Sequence, residues 1–537
     1  MERLGPDSVQ TWLSALADEE PSERTDRLTQ LLEKLRAGPL SPEERYRAVE
    51  NCRRETTRLK RELDRSLAGL TLPLPVEKEQ FSRKCAETHR LLAECYKNLA
   101  IGAAEDPVRM NAACLMECCY WGIASLGEYL LINYERYLKV RQGIWQEVHQ
   151  FYGIARSEGM HDIPLDEHAR PRQTVEHIYK RVLLLGLSNP FRHPFRGQTQ
   201  AYARLDRWAT LTELATTPPN SRRCLFTVDP SLDRPALPVL SHKRARPHFN
   251  EFWLNTLQLV SYLKRRHDKA IDQAVRQLGD PGNVTEELDS IEMLRRMIVN
   301  WGIHPIRSDS RTRTYKTCDV VVGLKAVCLA LNSFEPLAGQ ERMGPSAALT
   351  NMLRGRFDPE SVTRTDAPEI STQWEIADES RRGLRMVCGD CTTPPNISIG
   401  EVVAVRTQRS PQWSVGIVNW AQTSEDNRLS MGLEVIPVPA QPVSIFRLQT
   451  DGPPARTRNE ALLLIHEAEN KRTVSLLCHK SVYYPTAIYL LRIPKGQGER
   501  VVEATNVRLS TRSLVWFEVS KPRADTKEKT LDLIYPY

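Results

Sequence analysis

Through roughly the first 300 residues the apolar positions recur at helical spacing. Ser41-Pro42-Glu43-Glu44 reads as a capping box with proline at the first helical position. After it Tyr46, Val49, Cys52, Leu59, Leu63, Leu67 and Leu70 keep to one helical face. Pro73 and Pro75 end that pattern, since neither can donate a backbone hydrogen bond. Phe81, Cys85, Leu92, Cys95 and Leu99 stripe the next helix. Asp106-Pro107 is expected to open a third, apolar on nearly every side through Tyr120, Trp121 and Leu130. Such a helix belongs at the centre of a bundle. Shorter helices are predicted over 177–187 and 200–215. The Pro- and Arg-rich passage 216–247 reads as loop or extended chain, and two more helices follow over 249–276 and 284–301. No fixed-period repeat stands out, so a solenoid is left undemonstrated.

Beyond about residue 302 the pattern switches to period two. Strands are predicted over 318–322, 374–377, 384–388, 402–406, 413–420 and 433–436, and again over 461–466, 473–478, 487–493 and 514–519. Gly, Pro, Asn and Asp punctuate them. Short, closely spaced strands without intervening helices point to small β-barrels. The stretch is too long for one, so a division near 437–442 is expected, with a polar insertion at 332–367. The predicted fold is therefore multidomain α + β. A helical bundle or solenoid-like half spans 1–300, with a loop break near 216–247. A small β-barrel follows at 301–437, and a second, barrel-like β domain at 438–537.

Composition narrows the function classes only a little. The net charge is +7 over 537 residues. That is too mild to resemble a histone-like chain, and a nucleic-acid partner is not expected. The mean hydropathy is −0.44, and the N-terminus has no charged region followed by an apolar core, so no signal peptide is expected. The best spanning candidate, 112–134, carries Glu117, Glu128 and Asn133 and reads as a buried helix. The twelve cysteines show no disulfide-like framework and read as reduced thiols of a cytoplasmic protein. Cys388-Gly389-Asp390-Cys391 is a lone C-x-x-C with no second pair at zinc-ribbon spacing, so no metal is expected. Cys478 and His479 adjoin in a strand and point to opposite faces, which disfavours a catalytic dyad. With no Walker loop, G-x-G-x-x-G or H-E-x-x-H, the chain does not read as an enzyme. Lys243-Arg244-Ala245-Arg246 and Lys264-Arg265-Arg266-His267 read as solvated basic faces.

One passage carries chemistry: Trp374-Glu375-Ile376-Ala377-Asp378-Glu379-Ser380-Arg381-Arg382-Gly383-Leu384-Arg385-Met386. Asp378, Ser380 and Gly383 meet the pattern D/N-x-S-x-x-G, which resembles the signature of the PilZ family. The flanks resemble that family too. An alternating strand through Leu384, Met386 and Cys388 follows, then Ile399-Gly400-Glu401-Val402-Val403, then Trp413-x-x-Gly416-x-Val418-x-Trp420 and Gly432-Leu433-Glu434. This ordered succession is far more specific than the short motif alone, which would otherwise be a turn with an Asx or Ser cap. The resemblance covers about 302–436 and implies a six-stranded barrel that binds cyclic dimeric GMP. It also implies a second motif, R-x-x-x-R, met here by Arg307 and Arg311 with Arg313 close by. Arg354 and Arg356 lie nearer the first motif but lack the spacing. The separation of the two motifs is longer than the family's usual one. The insertion at 332–367 would account for that, since long surface loops cost little closure entropy.

These residue types suit the ligand that the resemblance implies. A guanidinium can fork onto guanine O6 and N7, or onto phosphate oxygens. The Asp378 carboxylate can accept from guanine N1–H and the exocyclic amine, and Ser380 is a compact donor and acceptor. Gly383 allows positive φ and close backbone approach. Arg381, Arg382 and Trp413 are candidates for additional contacts. The expectation is a non-enzymatic receptor that has no cofactor. Its ligand would order the arginine arm and act on an unidentified protein partner through the helical half. Type IV pili, surface motility and biofilm formation are the outputs the family suggests. The rivals are a scaffold with a degenerate barrel and no small ligand, and an RNA-binding protein. The last strands are expected to form a second barrel of the same type without the motif.

Overall fold

The capping box at Ser41 opens a helix as predicted. In the computed structural model the Ser41 hydroxyl accepts from the Glu44 amide at 3.2 Å, and the Glu44 carboxylate accepts from the Ser41 amide at 3.1 Å. The helix they start, α3 (Pro42–Ser66), follows α1 (Pro6–Ala15) and α2 (Pro21–Ala37), two elements the sequence pattern did not single out. The structure describes residues 5–16, 18–37, 40–70, 74–105, 110–165, 173–219, 223–239, 251–276, 281–302, 310–332, 371–388, 397–407, 412–424, 428–448, 457–468, 471–494 and 498–522. The chain divides into two compact units, Met1–Leu263 with Arg296–Pro305, and Lys264–Arg295 with Ile306–Tyr537.

In the first unit α4 (Val76–Glu105) precedes α5 (Ala112–Glu135). The latter starts later than the Asp106-Pro107 signal suggested. The reason is Asn111, whose side chain caps the helix by accepting from the Cys114 amide at 2.7 Å. The expectation of an all-round apolar helix holds, because α5 is buried along almost its whole length. Small residues let neighbours close on it. An added Cβ at Gly122 would lie 2.3 Å from the Phe151 ring of α6 (Ile144–Ser157). One at Gly127 would lie 2.6 Å from the Tyr202 hydroxyl.

Three boundaries differ from the sequence reading. The helix expected over 200–215 is α8 (Gly197–Trp208), preceded by α7 (Val175–Leu187) and followed by a 3-10 turn. The passage read as loop or extended chain holds part of a four-stranded sheet. The sheet is built from β1 (Glu213–Ala215), β2 (Leu225–Val228), β3 (Leu237–Pro238) and β4 (Phe252–Asn255), in the order β1-β4-β2-β3, and β2 and β3 are the strands within that passage. These strands are too short for alternation to show through the prolines, although Leu225, Phe226 and Val228 are all buried. Because β4 takes the start of the predicted 249–276 helix, α9 begins only at Leu257 (Leu257–Arg276), and α10 (Pro281–Gly302) follows. Trp301, fully buried, donates through its indole to the Leu184 carbonyl at 3.1 Å.

The first unit buries histidines with few partners. His89 is 5% exposed, and neither ring nitrogen has a hydrogen-bond partner. Burial, with Lys60 adding, pushes its imidazole down to about 3. Burial takes His193 to about 4. The unfolded chain therefore binds protons at these sites at a higher pH than the fold does. Stability is complete above the ordinary imidazole value of 6.5 and declines as pH falls toward 4. Replacing His89 with Leu removes a buried polar group that has no partner. The variant is expected to melt a few degrees above wild type at about pH 5, with a flatter pH profile by circular dichroism. A variant that melts below wild type at pH 5 and keeps the wild-type pH slope would contradict this.

The second unit holds two closed antiparallel barrels, as the period-two pattern predicted. The first comprises β5 (Thr312–Val322), β6 (Thr372–Ser380), β7 (Gly383–Cys388), β8 (Val402–Thr407), β9 (Ser414–Thr423) and β10 (Leu429–Val435). The second comprises β11 (Ala440–Leu448), β12 (Asn459–Ala468), β13 (Lys471–His479), β14 (Ile488–Arg492), β15 (Glu499–Ser510) and β16 (Leu514–Ser520). With strands numbered in chain order inside each barrel, the neighbour order around both is 1-2-3-6-5-4, closing on 1. The two barrels share one topology. Two strands of the second, β11 and β15, were not foreseen. Pro442 interrupts the first of them, and two register shifts break the alternation of the second.

The helix α11 (Leu324–Asn332) leaves the first barrel after β5 and joins both barrels. Its Val327, Cys328 and Ala330 share one apolar cluster with Val402, Ala404, Val415 and Ile417 of the first barrel and Leu462, Leu464 and Leu477 of the second. Ser513 donates to Glu401 at 3.0 Å beside that cluster. Beyond Asn332 the expected insertion lies outside the described residues. Among the described residues no helix is long and apolar enough to cross a membrane. No group of three or more His, Cys, Asp or Glu gathers there to hold a metal. Cys388 is disulfide-bonded, so the reading of twelve reduced thiols does not hold for it. Cys391 lies outside the described residues.

Candidate ligand-binding face of the first barrel

The D-x-S-x-x-G motif is a tight hairpin. Ser380 ends β6 and pairs with Gly383, which starts β7, so Arg381 and Arg382 form a two-residue turn with both side chains exposed. The Ser380 hydroxyl donates back to the Gly383 carbonyl at 3.4 Å. Gly383 does not have positive φ, contrary to one of the two roles expected of it. Its need is space, since a Cβ there would stand 3.1 Å from the Leu433 carbonyl of β10.

Asp378 lies two residues before the end of β6, just past a register shift between Ile376 and Asp378. Ile376 is fully buried inside the barrel, whereas Asp378 faces outward opposite the exposed Arg385. A bulge that re-aims a side chain in this way is common beside binding sites. Arg311 donates to the Asp378 carboxylate at 2.6 Å, and Arg385 approaches its other oxygen at 3.8 Å. Lys316 donates to Glu379 at 3.0 Å.

Strand register extends the site sideways. Arg313 pairs with Asp378, Asp378 with Arg385, Arg385 with Gly432, and Gly432 with Trp420. Directly opposed residues of antiparallel strands share a face. These five therefore form one row across β5, β6, β7, β10 and β9. Gly432 is required in it, because a Cβ there would fall 1.8 Å from the Trp420 indole nitrogen. The indole lies across the bare glycine backbone. The row offers a carboxylate between two arginines and an aromatic plate at one end. That set can take a planar base by its donor edge and a phosphate by its charge.

The structure thus brings Arg311, Arg313, Asp378, Ser380, Gly383, Arg381 and Arg382 to one end of the first barrel. Arg307 lies outside the described residues, as do Arg354, Arg356 and the basic cluster at 243–246. Trp413 goes elsewhere. Arg406 lies over its ring at 4.7 Å, and the ring packs on the apolar cluster between the barrels. Arg385 and Trp420 were missed as site residues. Arg385 was legible, as the outward residue of an alternating strand opposite Asp378. Trp420 needed the register of β9 on β10, which an isolated glycine in a strand only hints at.

Residues 340–442 match a family model described as "Cyclic-di-GMP receptor FimW, middle PilZ domain". The chain carries a PilZ domain. Residues 7–219 match the companion model "Cyclic-di-GMP receptor FimW, N-terminal domain". The protein "Cyclic-di-GMP receptor FimW" of Pseudomonas aeruginosa is 23% identical to this chain, over 92% of this chain and 85% of its own length. The PilZ barrel and the barrel after it differ at the hairpin. In the second barrel Ala468 pairs with Lys471, and His466 with Thr473. These are the positions of Ser380, Gly383, Asp378 and Arg385 in the PilZ barrel. The motif is absent there, as expected, and the His466 ring stacks on Trp516 at 5.6 Å.

Proposed function

We propose that this chain is a receptor for cyclic dimeric GMP that binds it on the outer face of the PilZ barrel and catalyses no reaction. The single observation that carries this reading is the Arg311–Asp378 pair, whose carboxylate stands in the transverse row between Arg313 and Arg385. Asp378 accepts from the guanine N1–H and exocyclic amine, while Arg311 turns to guanine O6 and N7 or to a phosphate. Arg307 joins it from the same R-x-x-x-R arm. Ser380 and Gly383 hold the hairpin, and Arg381 and Arg382 add positive charge at its tip. The relative's printed name, a cyclic-di-GMP receptor, supports the same ligand.

The arm carrying Arg307 and Arg311 follows α10, so a ligand held by both arginines acts on the helix before the arm and thereby on the helical half. That half engages a protein partner in the cytoplasm. Type IV pili, surface motility or biofilm formation are the outputs carried over from PilZ proteins. Titration calorimetry with cyclic dimeric GMP tests the reading. The wild-type chain is expected to bind, and Asp378→Ala to lose roughly tenfold or more in affinity, because the base donors lose a charged acceptor. No heat from a folded wild-type chain would leave the scaffold reading in its place.

A further inference from the structure

Tyr315 is the most exposed large side chain with apolar character among the described residues, at 78%. It lies on β5, where Arg313 and Tyr315 are exposed while Thr314 between them and Lys316 after them are half-buried. Arg313 pairs with the outward-facing Asp378, so Arg313 and Tyr315 project from the outer face that bears Asp378. Arg311 holds Asp378, but among the described residues Arg313 and Tyr315 have no hydrogen-bond or ion-pair partner through their side chains. A register shift between Arg313 and Lys316 leaves Tyr315 without a directly opposed residue on β6. An unsupported aromatic ring beside an unpaired guanidinium gains nothing for the fold.

We propose that Tyr315 and Arg313 sandwich one guanine of the ligand. The proposal rests on the receptor reading above and adds to it a stacking site outside both sequence motifs. Side chains two apart on a strand are separated by about 6.7 Å. That is about twice the 3.4 Å rise between stacked bases, so one planar base fits between the phenol ring and the guanidinium plane. Unpaired bases are held in this way by aromatic rings and by arginine. Stacking secures a base by its faces and leaves its donor edge for Asp378 and its acceptor edge for Arg311. The two kinds of contact are complementary and do not compete.

The test is calorimetry with cyclic dimeric GMP on the full chain, comparing wild type with Tyr315→Ala, Tyr315→Phe and Tyr315→Leu. Loss of one stacked base is worth about five- to 150-fold in affinity. Tyr315→Ala is expected to fall in that range and Tyr315→Phe to stay within about twofold of wild type. Tyr315→Leu, which keeps apolar area but no π-face, is expected to resemble Ala. In parallel, the guanine H8 resonance of bound ligand is expected to shift upfield in wild type and Phe, and to lose that shift in Leu. Tyr315→Ala binding as wild type, or an unchanged H8 shift in Tyr315→Leu, overturns the stacking proposal alone. Absence of binding by wild type overturns the receptor reading on which it rests. Exposure of residue 315 makes all three variants compatible with the fold, and an unchanged melting curve checks that.

Discussion

Replacing Arg311 with Ala is expected to weaken cyclic dimeric GMP binding roughly 100-fold and to lower the melting temperature by no more than about 4 °C. The two halves of this expectation come from one geometry. The guanidinium donates to Asp378 at 2.6 Å, but its side chain is 34% exposed. A pair that open to water is worth about 0–1 kcal/mol to the fold. Bound ligand changes the balance. A guanidinium forked onto phosphate or guanine makes charge-assisted, parallel hydrogen bonds, and a hydrogen bond to a charged group is worth about 1.5–3 kcal/mol. Lysine keeps the charge but not the fork, so Arg311→Lys is expected to recover only a minor part of the affinity. The ratio of wild type to Arg311→Ala is also expected to shrink as salt is raised, since part of the contact is to phosphate. Calorimetry at two ionic strengths measures both effects. An Arg311→Ala variant within threefold of wild type at low salt would remove the arm from the site.

How much of this was legible depends on the range of the interaction. The capping box at Ser41, the apolar face of α3 and the buried α5 are set by residues three or four apart, and the sequence pattern showed them. The hairpin around Arg381 and Arg382 is equally local, and the motif placed Asp378, Ser380 and Gly383 together. What escaped is what depends on register between distant strands. Trp420 reaches the row only because β9 pairs with β10 with a shift beside Gly432. The positive φ expected of Gly383 was misjudged for the same reason, because its constraint is close approach to the Leu433 carbonyl fifty residues away. Trp413, seven residues before Trp420 and just ahead of β9, is drawn off by Arg406 and the apolar cluster between the barrels. Short strands also hid. The sheet of β1 to β4 in the helical half offers two to four residues per strand, no more than the least that a period-two pattern needs to declare itself.

The largest effect on stability is expected from α11. Replacing Val327 with Asp is expected to lower the melting temperature of the barrel unit by about 10 °C and to reduce hydrogen-exchange protection in both barrels together. Val327 is fully buried in a cluster whose walls come from Val402, Ala404 and Val415 on one side and Leu462, Leu464 and Leu477 on the other. A carboxylate there finds no cation within the cluster. It must stay neutral or force the barrels apart, and burying an unpaired charge is among the few changes that cost more than about 4 kcal/mol. For a unit of this size each kcal/mol moves the midpoint by about 2–4 °C. Leu329 supplies the control, since it lies on the same helix but is 52% exposed. Leu329→Asp is expected to change stability by less than about 0.5 kcal/mol. If protection were lost in β12 and β13 alone while β5 and β8 kept theirs, α11 would be a plug for the second barrel only. Loss in both makes it a shared core. A ligand bound at one end of the PilZ barrel would then stabilise the second barrel as well, because the two would unfold as one.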